Sequence, residues 1–181
     1  GAMGSGIAQA FATTEGYEVC LCDITEEFAA NGKARIVKSF DGRVAKGKME
    51  RSEADKIISK ISVGLKDICK DCDLIVEAAF ESMEVKKTTF KELHEICKSD
   101  CLFSSNTSSL SITEIGAGIG RPVIGMHFFN PAPVMKLVEV ISGINTPREV
   151  AEKIINISKE IGKVPVEVNE TAGFVVNRIL V

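Results

Sequence analysis

No run of apolar residues in this 181-residue sequence approaches the roughly 20 that a bilayer span requires. No signal-peptide pattern is present either. An excess of basic charge is also lacking. Lys and Arg number 22 against 25 Asp and Glu, a net charge of −3, which leaves no basic stripe for nucleic acid. Histidine occurs twice, and the single Cys-x-x-Cys spacing, Cys69-Lys-Asp-Cys72, has no second pair and no histidine near it. That argues against zinc. Internal repeats, low-complexity segments and long linkers are absent as well. The six cysteines lie mostly inside apolar stretches, where a free thiol behaves as a small hydrophobe. The expectation is a reduced, cytosolic, soluble domain without metal, nucleic-acid or membrane partners.

What is present suits one domain large enough to bury a full core, with 45% apolar and 26% charged residues. The patterning predicts helices over residues 6–14, 25–46, 52–60, 83–98 and 147–161, with Ser52 as an N-cap of the third. Strands are predicted over residues 17–23, 73–77, 101–105, 122–128, 134–141 and 164–168. Ser111-Ile-Thr-Glu114 reads as a capping box opening a short helix. Strands alternating with helices imply an α/β fold, a doubly wound, mostly parallel sheet.

The start, Gly1-Ala-Met-Gly-Ser-Gly6, has Gly1 and Gly4 at the spacing of the second and third glycines of G-x-G-x-x-G. In that fingerprint the second glycine lets backbone approach a pyrophosphate, and the third allows close packing of helix on strand. Asp23, an acid at a predicted strand end about 20 residues on, stands where ribose hydroxyls are held and would repel a 2′-phosphate. It serves equally as a helix N-cap. Met3 to Gly6 read as native, whereas Gly1 and Ala2 fit a remnant of the motif or the scar of a tag.

Two further segments carry chemistry. Ser105-Asn-Thr-Ser-Ser-Leu110 follows a strand, and so lies at a carboxyl edge where open α/β sheets bind ligands. Gly125-Met-His-Phe-Phe-Asn-Pro131 ends the next strand with one of the two histidines. In Val134-Met-Lys-Leu-Val-Glu-Val-Ile141, alternation places Glu139 on an otherwise apolar face, where a charge needs a partner. If Asn-Pro-Ala-Pro reverses the chain, positions symmetric about Pro133 face each other, and His127 and Glu139 are such a pair. A carboxylate on one imidazole nitrogen leaves the other free as a general base. His94, in a polar helix, reads as surface.

These stretches, together with Gly173-Phe-Val-Val-Asn-Arg-Ile-Leu180, closely resemble the short-chain L-3-hydroxyacyl-CoA dehydrogenases over essentially the whole chain. The resemblance implies a Rossmann-like fold and an NAD-dependent oxidoreductase of acyl-CoA substrates such as acetoacetyl-CoA and 3-hydroxybutyryl-CoA. It implies His127 as catalytic base, Glu139 as its orienting partner, Ser108 in contact with substrate and nicotinamide, and Asn177 at the substrate carbonyl. Gly1, Gly4 and Asp23 would line the cofactor, Glu81 and Lys86 would lie near the ribose, and Asn130 near the nicotinamide. Ser39 and Lys46 would meet coenzyme A, or else form a solvated helix face.

Residues 1–175 are then expected to form the NAD-binding domain, with its first strand and first glycine missing. Residues 176–181 would begin a C-terminal helical domain that forms a homodimer in the full-length enzyme. Two other readings stay open: a non-catalytic nucleotide- or CoA-binding module, and a dehydrogenase of a free hydroxy acid.

Overall fold

The computed structural model describes residues 1–171 together with Phe174. The chain begins with α1 (Ala2–Thr13), β1 (Val19–Cys22), α2 (Glu26–Ala45), α3 (Arg51–Ser59) and β2 (Ile61–Gly64). It continues through β3 (Leu74–Glu77), α4 (Met83–Ile96), β4 (Leu102–Ser105) and α5 (Ile112–Gly116). Then follow β5 (Val123–Phe128), β6 (Leu137–Ser142), α6 (Arg148–Glu160) and β7 (Val164–Asn169). Strands β1 and β2 pair in parallel, and five strands are ordered β3-β4-β5-β6-β7. In the second sheet the β5–β6 pair is antiparallel and the others are parallel. This is the α/β, Rossmann-like architecture that the alternation of strands and helices requires. No described helix is long and apolar enough to cross a membrane.

Strand β5 is buried along its whole length, and its alternate residues face two different cores. Ile124, Met126 and Phe128 pack with Ile7 and Phe11 of α1 and Ile154 of α6. On the other side, Val123 joins Phe90 of α4, Phe103 of β4 and Ile112 and Ile115 of α5. Helices therefore cover both faces, and His127 points to the α4/α5 side. A third core ties Ala8 and Ala12 of α1 to Ile36 and Phe40 of α2 and Ala54 of α3. Because α1 is gripped between two cores, it is buried nearly all round.

Local chemistry sets the helix starts. The hydroxyls of Thr25, Ser82 and Ser111 accept from the backbone N–H groups of Phe28, Val85 and Glu114, capping α2, α4 and α5.

Four sequence expectations need correction. Helix α1 begins at Ala2 rather than residue 6, so Met3-Gly-Ser-Gly6 is helical and not an open loop. Packing on two cores outweighs the poor helix propensity of its glycines. Helix α3 starts at Arg51 with Glu50 at its N-cap, which places Ser52 inside the helix. Strand β2 was not expected, because four residues are too few to show a period. Finally, β6 begins only at Leu137. Before it, the N–H groups of Val134 and Met135 both donate to the Pro131 carbonyl at 3.0 Å, forming a turn.

His94 is not a free surface residue either. Its Nδ1 accepts from Nε of Arg121 at 3.0 Å. The same guanidinium donates to the carbonyls of Lys98 and Cys101 and lies 4.4 Å from the Phe103 ring centre. His94 thus helps tie the end of α4 to the start of β5.

Candidate active site

Antiparallel pairing of β5 with β6 sets His127 directly opposite Glu139. Nδ1 of His127 lies 2.8 Å from Oε2 of Glu139, with the histidine 6% and the glutamate 1% exposed. A carboxylate can only accept, so Nδ1 carries the proton and Nε2 is left as the basic nitrogen. The ring is held between Phe129 and Phe174, whose centres lie 4.6 and 5.8 Å away. Gly125, two residues earlier on the same face, makes the close approach of β6 possible. A Cβ there would meet the Ile141 Cβ at 2.8 Å.

The loop after β4 is fixed at both ends. Asn106 Oδ1 accepts from the N–H of Phe128 at 2.8 Å, binding the loop to the strand end that carries His127. Its own N–H donates to the Glu77 carbonyl at 2.7 Å. Beyond it, Oε1 of Glu81 accepts from Thr107 Oγ1 at 2.6 Å, and from the Ser108 and Ser109 N–H groups at 2.8 and 3.3 Å. The Ser108 hydroxyl lies 3.2 Å from the same oxygen. Burial alone raises the Glu81 pKa. The bonds from Thr107 and Ser108, together with the Lys86 ammonium, outweigh it and hold the carboxyl below its ordinary value.

Lys86, expected near the ribose, sits in a network of its own. It is 1% exposed, and its Nζ donates to both Glu77 oxygens at 3.0 and 3.1 Å and to the Ala79 carbonyl at 3.3 Å. Sequence reading missed Glu77 and Asn106. The signal for Glu77 was a charged residue closing an otherwise apolar strand, and for Asn106 its place as the first residue beyond β4.

At the other end of the candidate cleft, Gly1 is the N-cap of α1, which has no side-chain cap and no acid in its first turn. Free amides of this kind suit an anionic phosphate. Oδ2 of Asp23 lies 3.3 Å from the Gly1 amino group, so the acid beyond β1 and the start of α1 meet. Gly4 faces Ala78 just past β3, where an added Cβ would lie 3.9 Å from the alanine Cβ. A helix start, a small-residue contact and a half-buried acid fit a dinucleotide with free ribose hydroxyls.

Other expected residues are more scattered. Asn130 is exposed, two positions beyond β5. Ser39 and Lys46 are exposed on and just after α2, and Ser39 Oγ accepts from Gln9 Nε2 at 3.2 Å. Among the described residues no hydrogen bond links either to the His127 group. Asn177 lies outside the described residues. Next to Phe174 opens a cavity of about 450 Å³ lined by Ser109, Leu110, Ser111, Ser142, Ile144 and Glu170. Glu170 accepts from Ser111 Oγ and Thr113 N–H at 2.6 and 3.0 Å, bracing α5.

Residues 1–171 match the family described as 3-hydroxyacyl-CoA dehydrogenase, NAD binding domain. A 3-hydroxybutyryl-CoA dehydrogenase of Clostridioides difficile is 49% identical over 185 residues, covering all of this chain and 65% of the relative. The mitochondrial hydroxyacyl-coenzyme A dehydrogenase of Homo sapiens is 41% identical, again over all of this chain, and 60% of its own length is covered. Among solved structures, (S)-3-hydroxybutyryl-CoA dehydrogenase of Ralstonia eutropha superposes with a TM-score of 0.95 at 39% identity. That match covers 99% of this chain and 64% of the other. The chain thus spans less than two thirds of the length of these relatives. With its strand order, its uncapped glycine helix and its buried histidine–carboxylate pair, the chain belongs to the family of NAD-binding domains of 3-hydroxyacyl-CoA dehydrogenases.

Proposed function

We propose that this chain is the part of a 3-hydroxyacyl-CoA dehydrogenase that binds NAD and carries the catalytic base, with acetoacetyl-CoA and (S)-3-hydroxybutyryl-CoA as the substrate pair. The observation that carries this reading is the buried His127–Glu139 pair, 2.8 Å apart at the carboxyl edge of β5. When bound, NAD supplies the nicotinamide carbon that accepts hydride from C3 of the substrate. The start of α1 at Gly1 and Gly4 would hold its phosphates and Asp23 its adenosine ribose. Asn130 would lie near the nicotinamide.

His127 Nε2 would take the hydroxyl proton, and Glu139 would stabilise the imidazolium that results. In reduction the imidazolium returns the proton to the substrate oxygen. Ser108 would contact that oxygen and the nicotinamide, and Asn177 would help hold the substrate carbonyl. Coenzyme A would extend toward Ser39 and Lys46. The whole protein would work as a homodimer.

The test is acetoacetyl-CoA-dependent loss of NADH absorbance, with His127→Ala and with free acetoacetate in parallel. Turnover of the thioester alone, lost in the variant, is the expected result. Equal turnover of the free acid would redirect the reading to a hydroxy-acid dehydrogenase. Full activity in His127→Ala would remove the histidine from the chemistry.

A further inference from the structure

We infer that Glu77 and Lys86 are positioning residues that fix Ser108 against His127 by holding Glu81 as the anchor of the loop after β4. This rests on the proposed role of Ser108 at the substrate oxygen. The geometry itself is independent of that role.

The chain of contacts runs from core to site. Glu77 ends β3 with its carboxylate 1% exposed, and it accepts from Lys86 Nζ through both oxygens. Its remaining capacity is filled by the Ala79 N–H at 2.6 Å and the Ser105 hydroxyl at 2.7 Å. Glu77 thus joins the ends of β3 and β4 to α4. The ammonium also lies 3.4 Å from Oε2 of Glu81, whose other oxygen gathers the donors of Thr107, Ser108 and Ser109. The side chain of Glu81 is 36% exposed, and without the cation behind it only one of its two oxygens would be held. With the cation, one carboxylate oxygen is fixed where two successive amides converge. That convergence determines where the Ser108 hydroxyl sits.

The second anchor of the loop, Asn106 to Phe128 N–H, lies one residue from His127. A loop held at both points presents Ser108 to the base in one arrangement, which is the requirement for a hydroxyl that must hold a reacting oxygen. The charged groups involved are Lys86 from α4, Glu77 from β3 and Glu81 from the turn before α4, while the loop after β4 contributes hydroxyls and amides alone. Two carboxylates share one ammonium. Removing the ammonium takes away one of the causes that hold the Glu81 carboxyl below its ordinary value, and the anchor loses acceptor strength.

The experiment combines amide hydrogen exchange with pH-dependent turnover on the wild type and Lys86→Met. Exchange at the Ser108 and Ser109 amides should accelerate at least tenfold in Lys86→Met, with the amides of β4 and β5 unchanged. Turnover of acetoacetyl-CoA should fall at least tenfold in kcat with KM changed by less than threefold. The acid limb of kcat/KM should move up by about one pH unit, the scale of losing a neighbouring charge. A merely structural lysine would lower activity evenly across pH.

Should Lys86→Met fail to fold, the wild type alone carries the test. The ¹³C signal of the Glu81 carboxyl should titrate below the ordinary glutamate value, and protection of the Ser108 and Ser109 amides should disappear with the same midpoint. A Glu81 midpoint at or above the ordinary value, or amide protection indifferent to it, overturns the proposal. Absent turnover in the wild type would speak only to the activity of this chain by itself and leave its family standing, and the amide exchange would still decide the role of Lys86.

Discussion

Nδ1 of His127 and Oε2 of Glu139 face each other at 2.8 Å as a register pair of two antiparallel strands, with both side chains buried. The pair is therefore as rigid as the sheet, and the tautomer is set by an acceptor that cannot donate. Glu139→Gln keeps the shape but introduces an amide that can donate to Nδ1, moving the proton to Nε2. The expected result is a loss of kcat of roughly 10²–10⁴-fold, within the contribution of positioned acid–base groups, with little change in KM. Steady-state kinetics on the folded variant measure this. A kcat within threefold of wild type would show that Glu139 does not orient the base.

Gly125→Ala tests the packing that brings those strands together. Its new Cβ would fall 2.8 Å from both Cβ and Cδ1 of Ile141 and 3.2 Å from Cδ1 of Ile112. The Cδ1 atoms can rotate away, but the Ile141 Cβ is fixed to the backbone of β6. Overpacking of this kind costs about 1–3 kcal/mol. For a domain of this size that is a fall in Tm of about 2–4 °C per kcal/mol. An unchanged Tm by calorimetry would mean that β5 and β6 are held less tightly than their register implies.

Alkaline pH should destabilise the domain through its thiols. Cys22 and Cys69 bring their Sγ atoms to 3.2 Å, and that contact is the largest cause raising the Cys69 thiol. Cys72 is raised chiefly by its hydrogen bond to Cys69, and Cys97 chiefly by burial. Cys101 is pushed up to about 12, first by burial and then by Cys97. In the unfolded chain these groups titrate near the ordinary 9.0. The folded state therefore binds more protons above that pH. Its stability from these groups is complete below pH 9 and declines as pH rises toward 12. Tm should fall steadily between pH 9 and 11, and less steeply in Cys101→Ala. A flat profile would contradict this. At pH 8 these four thiols should resist iodoacetamide until the chain is unfolded.

Much of this site could be read from the sequence because it depends on local order. The pairing of His127 with Glu139 followed from counting outward from Pro133, and the Ser111 cap from its spacing to Glu114. Helix α1 was harder. Two glycines within its first turns and a third at its N-cap argue for a loop, and only contacts with Phe128, Ala132 and the α2 core make a helix of them. The Glu77–Lys86–Glu81 network was hidden for a similar reason. Its parts stand on β3, α4 and the loops between, and nothing in a lysine of a charged helix predicts 1% exposure. Asn106 was visible as part of Asn-Thr-Ser-Ser, yet its partner is a backbone N–H that only the alignment of β4 with β5 brings near.

The pairing of the strands also predicts behaviour in solution. Among the described residues β1 is laddered only to β2, and β3 only to β4. Each then keeps one row of backbone groups without a strand partner, and such edges template pairing with another chain. Val63 and Leu65, exposed at and just beyond β2, add apolar surface beside the first of these ladders. The chain of 19.5 kDa should therefore show a light-scattering mass that grows with concentration. Its NADH affinity should weaken as association proceeds, because the start of α1 and Asp23 lie next to β1. A constant mass of 19.5 kDa with tight NADH binding would show that these edges are covered by the chain's own residues.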